Sequence, residues 1–199
     1  MSMRAAATVL FVVTFFTCTA IAQTGSPTTT SPGQPYARPD KETREKRWLI
    51  GMFGPFSIAG DAVTAGIATW DNKPPEWGNG AKGFGKRFAS NLGMGVIKGT
   101  TAYGLEEAFK LDSHYYRSPK GTPPGSRLKN ALISAFTART PSGRRVLGFP
   151  RITGSYVSSI VGTEVWYPSR LGIRDGLRGG TYSVGADILS NIFTEFFHK

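Results

Sequence analysis

Apolar side chains recur at helical spacing along most of the chain. In segment 181–199, Tyr182, Ala186, Leu189, Phe193 and Phe196 step by four, three, four and three, with Ile188, Ile192 and Phe197 widening the stripe. Asp187, Asn191, Thr194 and Glu195 fall on the other side, so the pattern predicts an amphipathic helix, not a strand. Segment 83–111 reads the same way through Phe84, Phe88, Leu92, Val96, Tyr103, Leu105 and Phe109. A shorter helix is expected over 128–138 with Ser126 as its N-cap, and two more over 41–70, after a capping Asp40, and 152–166. Pro74-Pro75, Pro123-Pro124-Gly125, Pro141-Ser142-Gly143 and Pro168 separate them. The fold class expected is all-α, a bundle of about five Gly-rich helices, and residues 137–152 can pinch into a small hairpin around Pro141-Ser142-Gly143.

Small residues four apart run through these helices: Ala62 and Gly66, Ala89 and Gly93, Gly95 and Gly99, Gly154 with Ser158 and Gly162, Thr181 and Gly185. A glycine inside a helix costs roughly 1 kcal/mol relative to alanine, and close helix packing is the usual compensation. Such faces suit helix packing in membranes and in tight soluble bundles, and could pair copies of the chain. Segment 49–70 is long enough to span a bilayer and holds one charge, Asp61. Because Asp at the centre of a span costs about 3 kcal/mol, the segment is expected to be a buried helix of a globular bundle. On either reading Asp61 is expected to be a buried polar group in need of a partner.

The N-terminus changes the picture of where this bundle works. Arg4, an uncharged run carrying Val9, Phe11, Val13, Phe15 and Phe16, and then Ala20-Ile21-Ala22 have the order of a secretory signal cleaved after Ala22. Cleavage would remove Cys18, the single cysteine, leaving a fold without disulfides. Residues 23–40, rich in Thr, Ser, Pro and Gly, read as a disordered linker, and 41–199 as one helical domain. The expected address is the periplasm or cell envelope, with membrane association open.

The formal net charge is +11, and the excess of base is concentrated. From Ser113 to Thr163 there is no Asp or Glu, while Arg117, Lys120, Arg127, Lys129, Arg139, Arg144, Arg145 and Arg151 all lie there. Such a cluster attracts anions, and in an exported protein the partner expected is a membrane surface or another anionic envelope component, not nucleic acid.

Residue types that carry catalysis are sparse. Gly78, Gly80 and Gly83 spell a dinucleotide-type spacing and Gly80 to Lys86 a phosphate-loop spacing, but no buried strand precedes them and Arg87 stands where the latter needs Ser or Thr. A nucleotide is therefore not expected. With two histidines, His114 and His198, no metal site or other cofactor is expected, and no catalytic residue is assigned. The segment around Asp112 to Arg117 is expected at the surface.

The signal-like N-terminus, the stretch WGNGAKGFGKRFASN, the HYYRS segment and the closing GADILSNIFTEFF resemble a group of uncharacterised exported bacterial proteins. That resemblance implies location and helical architecture and carries no functional residue. The leading expectation is a non-enzymatic structural or interaction module of the envelope. The alternatives are an enzyme acting on cell-wall or lipid substrates through Glu107 or Glu164, and a small outer-membrane β-barrel, which would require alternating strands.

Overall fold

The computed structural model describes residues 36–197. The signal-like segment and most of the linker lie outside the described residues. The fold is all-α with one small hairpin: α1 (Lys41–Phe53), α2 (Pro55–Trp70), a 3-10 turn (Pro75–Trp77), α3 (Ala81–Ala108), α4 (Pro124–Phe136), β1 (Thr137–Arg139), β2 (Arg145–Leu147), α5 (Phe149–Val165) and α6 (Ile173–Phe196). The single helix expected over 41–70 is divided at Gly54, because Pro55 disfavours helical geometry in the residue before it. Helix α4 starts with Pro124 at its first position, so Ser126 sits inside the first turn instead of capping it.

Helix α6 begins eight residues before the expected Thr181. Glycines in that added stretch are contact points. A Cβ on Gly176 would lie 2.8 Å from Ile160 Cα, and one on Gly180 would collide with the Tyr156 ring. The hairpin pairs Thr137 with Leu147 and Arg139 with Arg145, turning through Gly143 at φ +80°. Only glycine adopts that backbone conformation without strain.

The helices pack in a line, not a closed bundle: α2 against α3, α3 against α5, α5 against α6, and α6 against α4. Helix α1 continues the α2 edge alongside α3. Helices α3, α5 and α6 each have a neighbour on either flank.

Burial follows from that geometry and reverses the usual order. The buried apolar residues are Met52, Leu111, Tyr115 and four alanines, and no Ile, Val, Phe or Trp is buried among the described residues. The buried face of α5 is Gly154, Ser155, Ser158, Ser159 and Gly162. Meanwhile Leu49, Ile50, Phe53, Trp70, Val165, Ile173, Tyr182 and Leu189 are exposed. In water-soluble domains the branched and aromatic side chains fill the interior.

Segment 49–70 is therefore not the buried helix expected. It forms one edge of the layer, with Met52, Gly54 and Ala65 as its buried residues. Asp61 is half-buried, and its backbone oxygen accepts from Asn91 Nδ2 at 3.1 Å. Its carboxylate finds no hydrogen-bond or ion-pair partner among the described residues, contrary to expectation.

The linker boundary also shifts. Tyr36 donates to Asp112 Oδ2 at 2.6 Å and Arg38 to Glu107 Oε1 at 3.0 Å, so the last residues of 23–40 are docked on the domain.

Candidate functional site

Charged residues sit at the two ends of the layer. Between them is a belt, 48–70 on α1 and α2, 88–105 on α3, 152–163 on α5 and 179–194 on α6, with three charges in total: Asp61, Lys98 and Asp187. At 1.5 Å per residue these stretches run about 34, 27, 18 and 24 Å. Lys98 Nζ reaches both Asp187 oxygens, at 2.8 and 2.9 Å, and Ser183 Oγ at 3.0 Å, so two of the three charges neutralise each other inside the layer. Ser183 in turn donates to Ser155 Oγ at 3.2 Å. Trp70 stands at one margin of the belt, 89% exposed, and Trp48 stacks on Tyr103 near the other.

At the end where α3 and α6 finish, a polar network replaces the apolar contacts. Asp112 accepts from the Tyr36 and Tyr116 hydroxyls at 2.6 and 2.7 Å and from the His114 amide at 2.9 Å. Burial works to raise the Asp112 pKa, but those hydrogen bonds outweigh it and hold the carboxyl below its usual range. The Tyr116 hydroxyl is pushed up to about 12 by burial and by the Asp112 charge, and the Tyr36 hydroxyl is raised by the same causes. The expected surface segment is thus partly interior: Asp112, Ser113 and Tyr115 are buried, while His114 and Arg117 are exposed.

Glu195 anchors the neighbouring part of this end. Its side chain is fully buried and accepts from the Tyr115 hydroxyl, the Ser118 amide at 3.1 Å and Arg127 Nε at 2.9 Å. Arg127 Nη2 donates to the Glu195 backbone oxygen, and Arg117 Nη2 approaches the same oxygen at 3.5 Å. Asn130 ties the group to the loop through Tyr116 O at 3.1 Å and Ser118 Oγ at 3.3 Å.

The eight basic residues divide by use. Arg139 lies 5.3 Å from the Tyr36 ring centre and 5.5 Å from that of Tyr116. Arg151 donates to Ser113 O and Arg145 to Asn130 Oδ1. These three are held by internal partners. Lys129 and Arg144 are exposed on α4 and in the hairpin turn. Arg117, Lys120 and Arg127 share a cavity of about 240 Å³ at the 117–122 loop.

The glycine-rich turn shows why its phosphate-loop spacing carries no phosphate chemistry. Arg87, 3% exposed, donates to Lys73 O at 2.7 Å, Gly78 O at 2.6 Å and Pro74 O at 2.9 Å. The loop turns carbonyls inward around a cation, where a phosphate loop turns amides inward around an anion.

The carboxylates considered for hydrolysis are dispersed. Glu107 is gripped by Arg44 at 2.6 Å and Arg38 at 3.0 Å, and Asp187 pairs with Lys98 in the belt. Glu164 lies on the last turn of α5 beside Gly172. The residues that sequence reasoning missed are Glu195, Asp112, Tyr115, Tyr116 and Asn130. Glu195 stood on the polar side of the α6 stripe, and its separation of 68 residues from Arg127 leaves no local signal. No family model, curated protein or solved structure matches the chain.

Proposed function

We propose that the protein is a membrane-embedded helical module of the cell envelope, non-enzymatic and structural or lipid-interacting, whose basic end faces an anionic head-group surface. The carrying observation is the reversal of burial: small and polar residues make up most of what is buried between the helices, many large apolar ones are exposed, and the belt holds only three charges, two of them paired with each other. Helices associating in lipid pack through small residues and hydrogen bonds, since lipid covers their apolar surfaces as well as another helix would. A bilayer also covers both faces of a single layer, which a docking surface on one side does not.

By length and composition, the α1–α2 segment is the one helix among the described residues apolar enough to cross alone. The other helices enter as a packed set, in which Lys98 and Asp187 answer each other. The stretches on α3, α5 and α6 are shorter than the roughly 30 Å of a hydrocarbon core, so thinning of the bilayer and outward reach of flanking Arg and Glu side chains accompany insertion. An exported location would make the basic end a contact for envelope anions.

Fractionation tests this reading. Membranes from expressing cells are washed with high salt, then alkaline carbonate, then a non-ionic detergent. Release by detergent alone is the expected outcome. Recovery in the soluble fraction, or release by salt or carbonate, would show that no segment is inserted.

A further inference from the structure

We propose that the cavity at the 117–122 loop is a binding site for a phosphate group. It deepens the reading of the basic end and rests on that reading only for the source of the phosphate. Arg117, Lys120 and Arg127 line a space of about 240 Å³ together with Ser118, Gly121 and Thr122. That volume lies below the roughly 300 to 1,000 Å³ of sites for drug-sized molecules, and suits a small anionic group with the first atoms of its ester.

The cations are arranged, not merely numerous. Buried Glu195 fixes Arg127 through Nε at 2.9 Å and holds both guanidiniums by its backbone oxygen. Lys120 has no partner among the described residues. The loop is closed on itself, Thr122 N and Oγ1 both donating to Pro119 O at 3.2 and 2.8 Å, with Gly121 at φ +87°. Three cations against one carboxylate leave an excess of two positive charges, the complement of a phosphomonoester dianion. Guanidinium forks match phosphate oxygens in pairs, and the ammonium adds a point charge. No acidic side chain occurs between Ser113 and Thr163 to compete.

The test uses the full chain in non-ionic detergent and isothermal titration with three probes: inorganic phosphate, dihexanoyl phosphatidic acid and dihexanoyl phosphatidylcholine. Phosphatidic acid is expected to bind and phosphatidylcholine not to. The double variant R117Q/K120Q is expected to bind phosphatidic acid at least tenfold more weakly. K129Q/R144Q removes the same charge outside the cavity and is expected to leave affinity within twofold. Circular dichroism checks that both variants keep their helices, and Lys120→Gln alone, which touches no internal partner, repeats the measurement if the double variant unfolds.

Inorganic phosphate binding as tightly as the lipid assigns recognition to the phosphate group itself. A clear preference for phosphatidic acid assigns it to a lipid head group. Absence of binding to both, binding of phosphatidylcholine as tight as phosphatidic acid, or equal losses in the two double variants overturns the proposal. If carbonate releases the protein while R117Q/K120Q still loses phosphate, insertion fails and the cavity stands.

Discussion

The belt and the basic end solve the same problem in opposite ways. In the belt, Gly154, Ser155, Ser158 and Gly162 bring α5 against its neighbours, and the large apolar side chains are left outside. At the basic end the elements are joined by Glu195, Asp112 and the side chains that satisfy them. Packing in the belt depends on what is absent from the side chains. At the end it depends on what each polar atom finds. The difference teaches that this chain concentrates specificity where charge is buried and closeness where charge is missing.

The sharpest way to break the contrast is Glu195→Ala, which strands Arg127, Tyr115 and the Ser118 amide. Removing one partner of a buried pair costs about 3 to 5 kcal/mol, to be read from denaturation curves in detergent. A stability within 1 kcal/mol of wild type would mean that the network is not the fastening it resembles. Opposite in sign is Asp61→Leu. If the belt lies in hydrocarbon, replacing this unpartnered carboxylate gains about 3 kcal/mol of insertion free energy, measurable as glycosylation-reporter insertion of the segment. No gain would place Asp61 in water.

Closeness is tested at Gly176 and Gly95. A methyl at Gly176 meets the Ile160 backbone, so Gly176→Ala should separate α5 from α6 and cost about 1 to 3 kcal/mol. Gly95 has nothing within 4 Å, and Gly95→Ala should gain up to about 1 kcal/mol of helix propensity. Matching effects at the two glycines would refute the packing account.

The smallest expected effect is that of pH on Asp112. Its pKa is depressed in the folded state, so its contribution is complete above the unfolded value of about 4 and is lost as pH falls through the folded one. Acid titration of Asp112→Asn should lack that component, and a wild-type profile in the variant would assign acid sensitivity elsewhere.

Much of the fold was legible because helical periodicity is local. Segments 83–111 and 181–199 were marked by their stripes, the other helices by the breakers between them, and the hairpin by Pro141-Ser142-Gly143. Two readings went astray for a shared reason. The glycines at 176, 179 and 180 add no apolar stripe to mark the start of α6, and an apolar run such as 49–70 looks like a core, until the neighbours are known. Three of the eight basic residues named from the acid-free stretch do share a cavity, while Arg139, Arg145 and Arg151 are spent inside. What divides them is contact with Tyr36, Asn130 and Ser113, which spacing along the chain does not encode.

The Arg87 cage has a consequence for how the chain organises itself. All three carbonyls that Arg87 captures belong to the turn just before its own helix, so contacts within 73–87 brace the bend between α2 and α3, while Glu76–Arg170 and Trp77–Tyr167 tie the same turn to the loop between α5 and α6. Part of the information for that reversal of direction is therefore local. A contact spanning fourteen residues closes a short loop, so the Arg87 cage costs little chain entropy to form.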